Sequence, residues 1–327
     1  MNEHPLRSQS GELCTTMYPV KPKVSVVLCT FNPRRDLLIW ALKSIERQSL
    51  PKQDFEFVIV DNNSNPPLDA ADFAEGIPVS FRLIRQPKAG LCHARVAGIA
   101  ATSAPLLVFL DDDNYLDADY LEQALSIAAD HPYIGCFGGK SRAVFEGRVA
   151  SWKHRLLAYL GVRDYGSQAI TSNQRCWGEW EPIGAGMVCR RDVADRFAQW
   201  IDALPSASRL GRRELGLMSG EDTLVAQAAY SLSYSCSYQP ALKLSHWMKA
   251  PRLRSVVLAR TLAGHGRSYV VLQNLKGEPV PRPPLWSIPG TLTRRYFARV
   301  YKAGFGVGTI EWFWDIGYFR EVLRTGQ

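Results

Sequence analysis

The chain predicts an α/β protein with a doubly wound, Rossmann-like and mostly parallel sheet. Short β-branched runs alternate with amphipathic helical stretches from Val24 to Ala129, and each parallel pairing needs such a crossover. The runs are apolar on both faces, as strands of a sheet covered on both sides are. Polar residues gather just past the strand ends, where open α/β sheets hold ligands.

The first strand is read at residues 24–29. After Thr30-Phe31-Asn32-Pro33 a helix is expected, with Leu37, Leu38, Ala41, Leu42 and Ile45 on one face, Asn32 as its cap and Pro33 in its first position. Residues 55–60 form the second strand, closed by the turn formers of 61–67. The third strand is expected at 79–84, followed by a helix over 91–101. The fourth, 106–110, leads to a helix over 117–129. Beyond Ile134 the alternation fades, with helices expected near 151–160 and 192–200, which reads as a smaller half folded onto the first. A proline-rich linker, 279–284, precedes two amphipathic helices, 291–302 and 309–323, rich in Arg, Phe, Trp and Tyr. The expected divisions are a flexible lead-in, 1–22; a main unit, 23–249, split near 133/134; and a helical region, 250–327.

At 327 residues, 46% hydrophobic and 21% charged, the composition is that of an ordinary globular protein. No apolar run is long enough to span a bilayer, and residues 1–23 carry no apolar h-region, so a secretory signal is not expected. Seven scattered cysteines without a C-x-x-C pair read as buried thiols in a reducing cytoplasm. The formal charge of +8 suits an anionic partner such as nucleic acid, an acidic lipid surface or a polyphosphate.

Asp111, Asp112 and Asp113 follow directly on the apolar run 106–110. Carboxylates crowded at a strand end repel one another, and a hard divalent cation offsets that repulsion while leaving positions for a phosphate. A single carboxylate would suffice to cap the next helix, so the triplet points to metal-assisted chemistry on a phosphorylated substrate. Asp61 and Asn63 lie in a turn that either binds a base or ribose or bonds its own backbone. Lys88, Gly90 and Arg95 lead into a helix, with Gly90 allowing close backbone approach and the two cations set for a pyrophosphate. Gly184-Ala185-Gly186 precedes an apolar strand and suits either a ligand-facing wall or a bulge. Glu221 and Asp222 open a helix behind Gly220; Asp222 is the expected general base and Glu221 its orienting partner. His246 follows a strand-like run and is either structural or a nitrogen ligand to the metal. Arg252, Arg254, Arg260 and Arg267 are candidate clamps on an anionic leaving group, with most expected to be solvated.

Taken in order, residues 26–32, 60–64, 90–95, 109–113, 184–187 and 220–222 resemble the family-2 glycosyltransferases with the GT-A fold, over roughly residues 23–249. Val96 and Asn63 depart from that pattern, where Asn and Ser are frequent. The resemblance implies a GT-A sheet with a nucleotide-sugar half (23–133) and an acceptor half (134–249). It implies inverting transfer from a nucleoside-diphosphate sugar, UDP favoured, to a hydroxyl of a glycan or lipid-linked acceptor, in bacterial polysaccharide or surface-glycan synthesis. Thr30, Asn32 and Asp61 would then hold the nucleoside. Asp111 and Asp113 would be a D-x-D motif binding Mn²⁺ or Mg²⁺, with His246 completing the metal shell and Asp112 beside the diphosphate. Gly184, Ala185 and Gly186 would line the sugar pocket. The expected location is the cytoplasm, at the cytoplasmic face of the inner membrane if the C-terminal helices contact lipid, the alternative for them being core packing or an oligomer contact; no nucleic acid is expected. A metal-dependent nucleotidyltransferase is the rival, but the Gly-rich triphosphate loop it needs is absent between Thr30 and Asp36. A basic nucleic-acid-binding protein is the other, but its basic residues are too dispersed.

Overall fold

The computed structural model describes residues 21–69, 71, 80–211 and 217–325. The side-chain period of two sorts each central strand onto two cores. In β1 (Val24–Thr30), Val24, Val26 and Leu28 meet Leu38, Ala41, Leu42 and Ile45 of α1 (Arg35–Glu46). Val27 and Cys29 turn the other way, onto Cys92, Ala94 and Ile99 of α2 (Leu91–Ala100). β4 (Leu106–Asp111) splits in the same manner, Leu106, Val108 and Leu110 to one core and Leu107 and Phe109 to the other.

The remaining strands are β2 (Phe55–Asp61), β3 (Arg82–Arg85), β5 (Asn114–Leu116), β6 (Ile134–Phe145), β7 (Ile170–Ser172), β8 (Val188–Arg190) and β9 (Ser235–Met248). Among the described residues they form one sheet in the order β3-β2-β1-β4-β8-β6-β9-β5, with β7 beside β9. The first four strands pair in parallel. β8 then joins β4 to β6 antiparallel on both sides, and β6 runs parallel to β9. The sheet is mixed, and the fading alternation beyond Ile134 coincides with its antiparallel pairings. Helices α3 (Tyr120–Asp130), α4 (Arg191–Ala203) and α5 (Glu221–Ser231) flank it.

Several local expectations change. The helix after the acid triplet starts at Tyr120 instead of 117, because residues 114–116 extend as β5 to pair with β9. The third strand begins at Arg82, and Val79 lies outside the described residues, as does the lead-in except Lys21 and Pro22. Residues 151–160 coil as a 3₁₀ helix. Asn32 does not cap α1, whose first residue is Arg35. Its Oδ1 instead accepts from the Asn65 N–H at 2.8 Å, and its own N–H donates to Ser64 Oγ at 2.8 Å. The side chain is spent on the neighbouring turn, and its φ of 46° lies in the left-handed region that asparagine tolerates.

The C-terminal region folds as α6 (Ser255–Leu275), α7 (Ile288–Ala303) and α8 (Phe305–Thr325). Backbones of α6 and α8 touch at Gly266 and Gly317, where a Cβ would overlap the facing carbonyls of Trp314 and Ala263. Two buried acids hold α8 in place. Asp315 pairs with Arg295 and Arg299 of α7, and Glu321 pairs with Arg209 at 2.7 Å and Arg267 at 3.0 Å. Arg267 is therefore a structural cation and not a clamp on a leaving group. No helix among the described residues is long and apolar enough to cross a membrane.

Candidate active site

Where β1 and β4 end, the backbone opens onto a cavity of about 1060 Å³. Thr30, Asn62, Gly90, Asp111, Asp112, Asp113, Gly184, Ala185, Glu221, Asp222 and His246 all line it, so segments far apart in sequence meet as expected of strand ends in an α/β sheet. β5 makes the decisive connection. Its antiparallel pairing sets Asn114 opposite His246, and the Trp247 N–H donates to the Asp113 carbonyl at 2.8 Å, so β9 delivers His246 to the acid triplet.

Within the triplet the three carboxylates differ. Asp113 is buried, with Oδ1 3.4 Å from His246 Nε2 and Oδ2 3.2 Å from Arg252 Nη1 and 3.8 Å from Lys249 Nζ. Burial alone would raise its pKa, but His246, Arg252 and Lys249 outweigh it and hold the carboxyl far below the usual range. Asp112 accepts from the Thr30 hydroxyl and lies 3.7 Å from Lys249 Nζ. Burial and the neighbouring Asp113 push it up to about 6, against the pull of Lys249 and Thr30. Asp111 closes β4 on the side facing Cys29 and Arg95, where its charge adds to the effect of burial in pushing the Cys29 thiol up to about 12.

The opposite wall is the start of α5. Gly220 adopts φ 99°, a conformation few other residues reach, and turns the chain into the helix. Asp222 accepts from the Thr223 N–H at 2.8 Å, as an acid in a first turn does. Glu221 is buried 3.7 Å from Arg95 Nη2. Arg95 is 1% exposed and stacks at 5.0 Å over the Phe109 ring. The expected role of Arg95 beside a pyrophosphate does not fit that burial. It sits behind the cavity and anchors the residue adjacent to Asp222. Gly184 belongs to this arrangement, because a Cβ there would overlap the Arg95 guanidinium. Gly186 turns from the cavity towards the core, where the Tyr120 hydroxyl donates to its carbonyl at 2.5 Å.

Other expected residues also move. Lys88 is exposed and absent from the cavity wall; Asn62, next to the chosen Asn63, reaches the carbonyls of Gln86 and Lys88 and accepts from the Gly90 N–H at 2.7 Å. Gly90 thus serves the Asn62 clamp and, at φ 129°, the entry into α2. Asn63 is exposed at φ 66°. Asp61 is buried, and its two oxygens accept from the N–H groups of Ser64 at 3.0 Å and Leu68 at 3.1 Å. Each oxygen retains a lone pair for a further donor. Five of the six described cysteines are buried and all six are free thiols.

Lys249 and the contact role of Arg252 escaped the sequence reading, although both follow His246 within six residues. Glu181 escaped it as well. It is fully buried, its Oε1 accepts from the Tyr230 hydroxyl at 3.1 Å, and Arg163 Nη1 donates to its carbonyl at 2.5 Å. Burial pushes it up to about 8; the Tyr230 hydrogen bond opposes that and the Asp222 charge adds to it. The aromatic side of the cavity had no signal in the sequence. Tyr159, Tyr165, Trp177, Tyr269 of α6 and Trp314 of α8 come from separate segments.

Asp113 and His246 present oxygen and nitrogen donors close enough to share one divalent ion, and such ions accept one or two protein carboxylates with substrate phosphates completing the shell. Among the described residues no group of three or more His, Cys, Asp or Glu side chains converges to hold a metal, so the expected set of Asp111, Asp113 and His246 does not come together as one. These two donors, Asp113 and His246, both in contact with Arg252, would take up a cation only with a diphosphate completing its shell.

The chain is similar to EpsH of Bacillus subtilis (strain 168), a protein named for glycosyl transfer, at 29% identity over 110 residues, 33% of this chain and 31% of that one. It is 28% identical over 130 residues to the poly(ribitol-phosphate) β-N-acetylglucosaminyltransferase TarP of Staphylococcus aureus (strain N315), covering 37% and 39% of the two chains. It thus spans about a third of the length of these relatives. The crystal structure of S. aureus TarS superposes with a TM-score of 0.50 at 17% identity, over 93% of this chain and 55% of that one, a likeness of fold. Residues 25–197, just over half of the 327, match the family model described as Glycosyl transferase family 2, and the chain belongs to that family.

Proposed function

We propose that the chain transfers a sugar from a nucleoside-diphosphate sugar, UDP-linked in the first instance, to a hydroxyl of a glycan or lipid-linked glycan, with inversion at the anomeric carbon. The observation that carries this reading is the meeting of the acid triplet and the Asp222-bearing helix start across one cavity. Thr30, Asn62 and Asp61 lie on the nucleoside side in this assignment. Asp222 takes the proton of the acceptor hydroxyl as that oxygen attacks, and the bond to the diphosphate breaks on the opposite face of the sugar. Arg95, through Glu221, holds the first turn of α5 in position for that transfer. Lys249 and Arg252 lie where the departing diphosphate gains charge. Asp113 and His246 would hold Mn²⁺ or Mg²⁺, which when bound offsets that charge as a Lewis acid.

Synthesis of a bacterial surface glycan, at the cytoplasmic face of a membrane, belongs to the same reading, as does the division into a nucleotide-sugar half, an acceptor half and C-terminal helices. The S. aureus relative's named transfer to a ribitol-phosphate polymer supports it. Calorimetry with UDP, with and without Mn²⁺, tests the reading, followed by a donor-hydrolysis screen across nucleotide sugars. A metal-dependent UDP signal and none for an oligonucleotide is expected. Tight oligonucleotide binding with no response to any nucleoside diphosphate would overturn it.

A further inference from the structure

We infer that the outward face of α7, with Leu285 and Trp286 before it and Phe305 after it, docks onto an anionic lipid bilayer. Only Ile288 is buried along this helix. Its exposed positions recur as the pairs 289/290, 293/294, 297/298 and 301/302, one stripe along a helix of 16 residues, or about 24 Å. A face meant for water carries charged and polar side chains. This one carries Phe297, 64% exposed, and Tyr301, 95% exposed, one turn apart. Trp286 at 84% and Leu285 at 70% extend the apolar surface at one end, and Phe305 at 73% at the other.

Charge selects the occupant. Residues 279–310 contain no Asp or Glu and five cations, Arg282, Arg294, Arg295, Arg299 and Lys302. Arg295 and Arg299 turn inward to Asp315 of α8. Arg294 and Lys302 stay exposed among the aromatic rings. Two copies of an acid-free cationic face repel each other, so a second copy of this chain is disfavoured and an anionic surface is favoured. Protruding rings flanked by Arg and Lys match a helix lying in a bilayer interface, where rings enter the acyl boundary and cations meet acidic headgroups. α8 is not that face, because Val307, Ile310, Tyr318, Phe319 and Val322 are buried.

The inference deepens the proposed function, resting on it only for the purpose of the contact. α8, against which α7 packs through Asp315, also walls the cavity with Trp314, beside Tyr269 of α6. Docking through α7 would hold that wall near the membrane from which a lipid-linked acceptor arrives.

The test is flotation of the full-length chain with vesicles of phosphatidylcholine alone or with 30 mol% phosphatidylglycerol. The wild type is expected to float with the anionic vesicles and to be released by high salt. Trp286→Ser/Phe297→Ser/Tyr301→Ser should lower the bound fraction at least about tenfold, and Arg294→Gln and Lys302→Gln about fivefold each. These positions are exposed, so melting temperature and lipid-free UDP binding should not change, and UDP binding separates failure of this inference from failure of the glycosyltransferase reading. Equal flotation with neutral and anionic vesicles, undiminished flotation of the triple variant, or lipid-free dimerisation that the triple variant abolishes would each overturn it.

Discussion

Arg252 places its Nη1 3.2 Å from Asp113 Oδ2, in the cleft that Asp113 shares with His246, whose Nε2 lies 3.1 Å from the same nitrogen. A guanidinium there balances a buried carboxylate and competes with any divalent ion for the same two donors. Two unit charges at about 4 Å interact by about 4 kcal/mol at an effective dielectric of 20. If a quarter of that is relieved, Arg252→Gln should raise Mn²⁺ affinity without nucleotide about fivefold. Electron paramagnetic resonance of free Mn²⁺ reads the change, and unaltered affinity would show that the two cations do not compete.

Asp222→Asn should leave UDP binding nearly intact while turnover falls at least about a hundredfold, the scale of base catalysis. Single-turnover assays beside calorimetry separate the two effects. Turnover near that of the wild type would remove Asp222 from the base role.

Arg95→Met removes a buried cation that partners the buried carboxylate Glu221 and should cost up to about 3 to 5 kcal/mol of stability. Arg95→Met with Glu221→Gln should recover much of it, because the buried negative charge that Arg95 offsets is gone as well. Denaturant unfolding of the four proteins measures the coupling; additive losses would mean that the pair is not an energetic unit.

Glu181 supplies a pH test. Its carboxyl is raised from an ordinary 4.5 to about 8 in the fold. Below about pH 4.5 it is protonated both folded and unfolded and costs nothing. As pH rises towards 8 the unfolded chain ionises and the folded one does not, so this group's contribution falls by up to about 1.4 kcal/mol per pH unit. Glu181→Gln should flatten the decline of melting temperature between pH 5 and 8. Parallel profiles for variant and wild type would contradict the assignment.

Strand and helix order in the first half was legible because burial on both faces writes itself into consecutive apolar residues, and a crossover demands a helix. The grouping of Thr30 with the acid triplet followed from the rule that strand ends face one crevice. Asp61, expected beside them, is turned to the N–H groups of Ser64 and Leu68 and is not on the cavity wall. The Gly220-Glu221-Asp222 helix start was tied to the site by its paired acids and the family resemblance. The part each polar residue plays was not legible in that way. Arg95 reads as a surface cation near a phosphate until Phe109 and Glu221 enclose it, and Asn32 reads as a cap until the turn at Asn65 claims its side chain. Lys249 and Arg252 gain meaning only when the short pairing of β5 with β9 brings them to Asp113. Local sequence carries propensity and periodicity, which act over a few residues. Burial, charge compensation and the aromatic wall of the cavity arise from contacts between residues tens to hundreds of positions apart, and only the packed chain sets those.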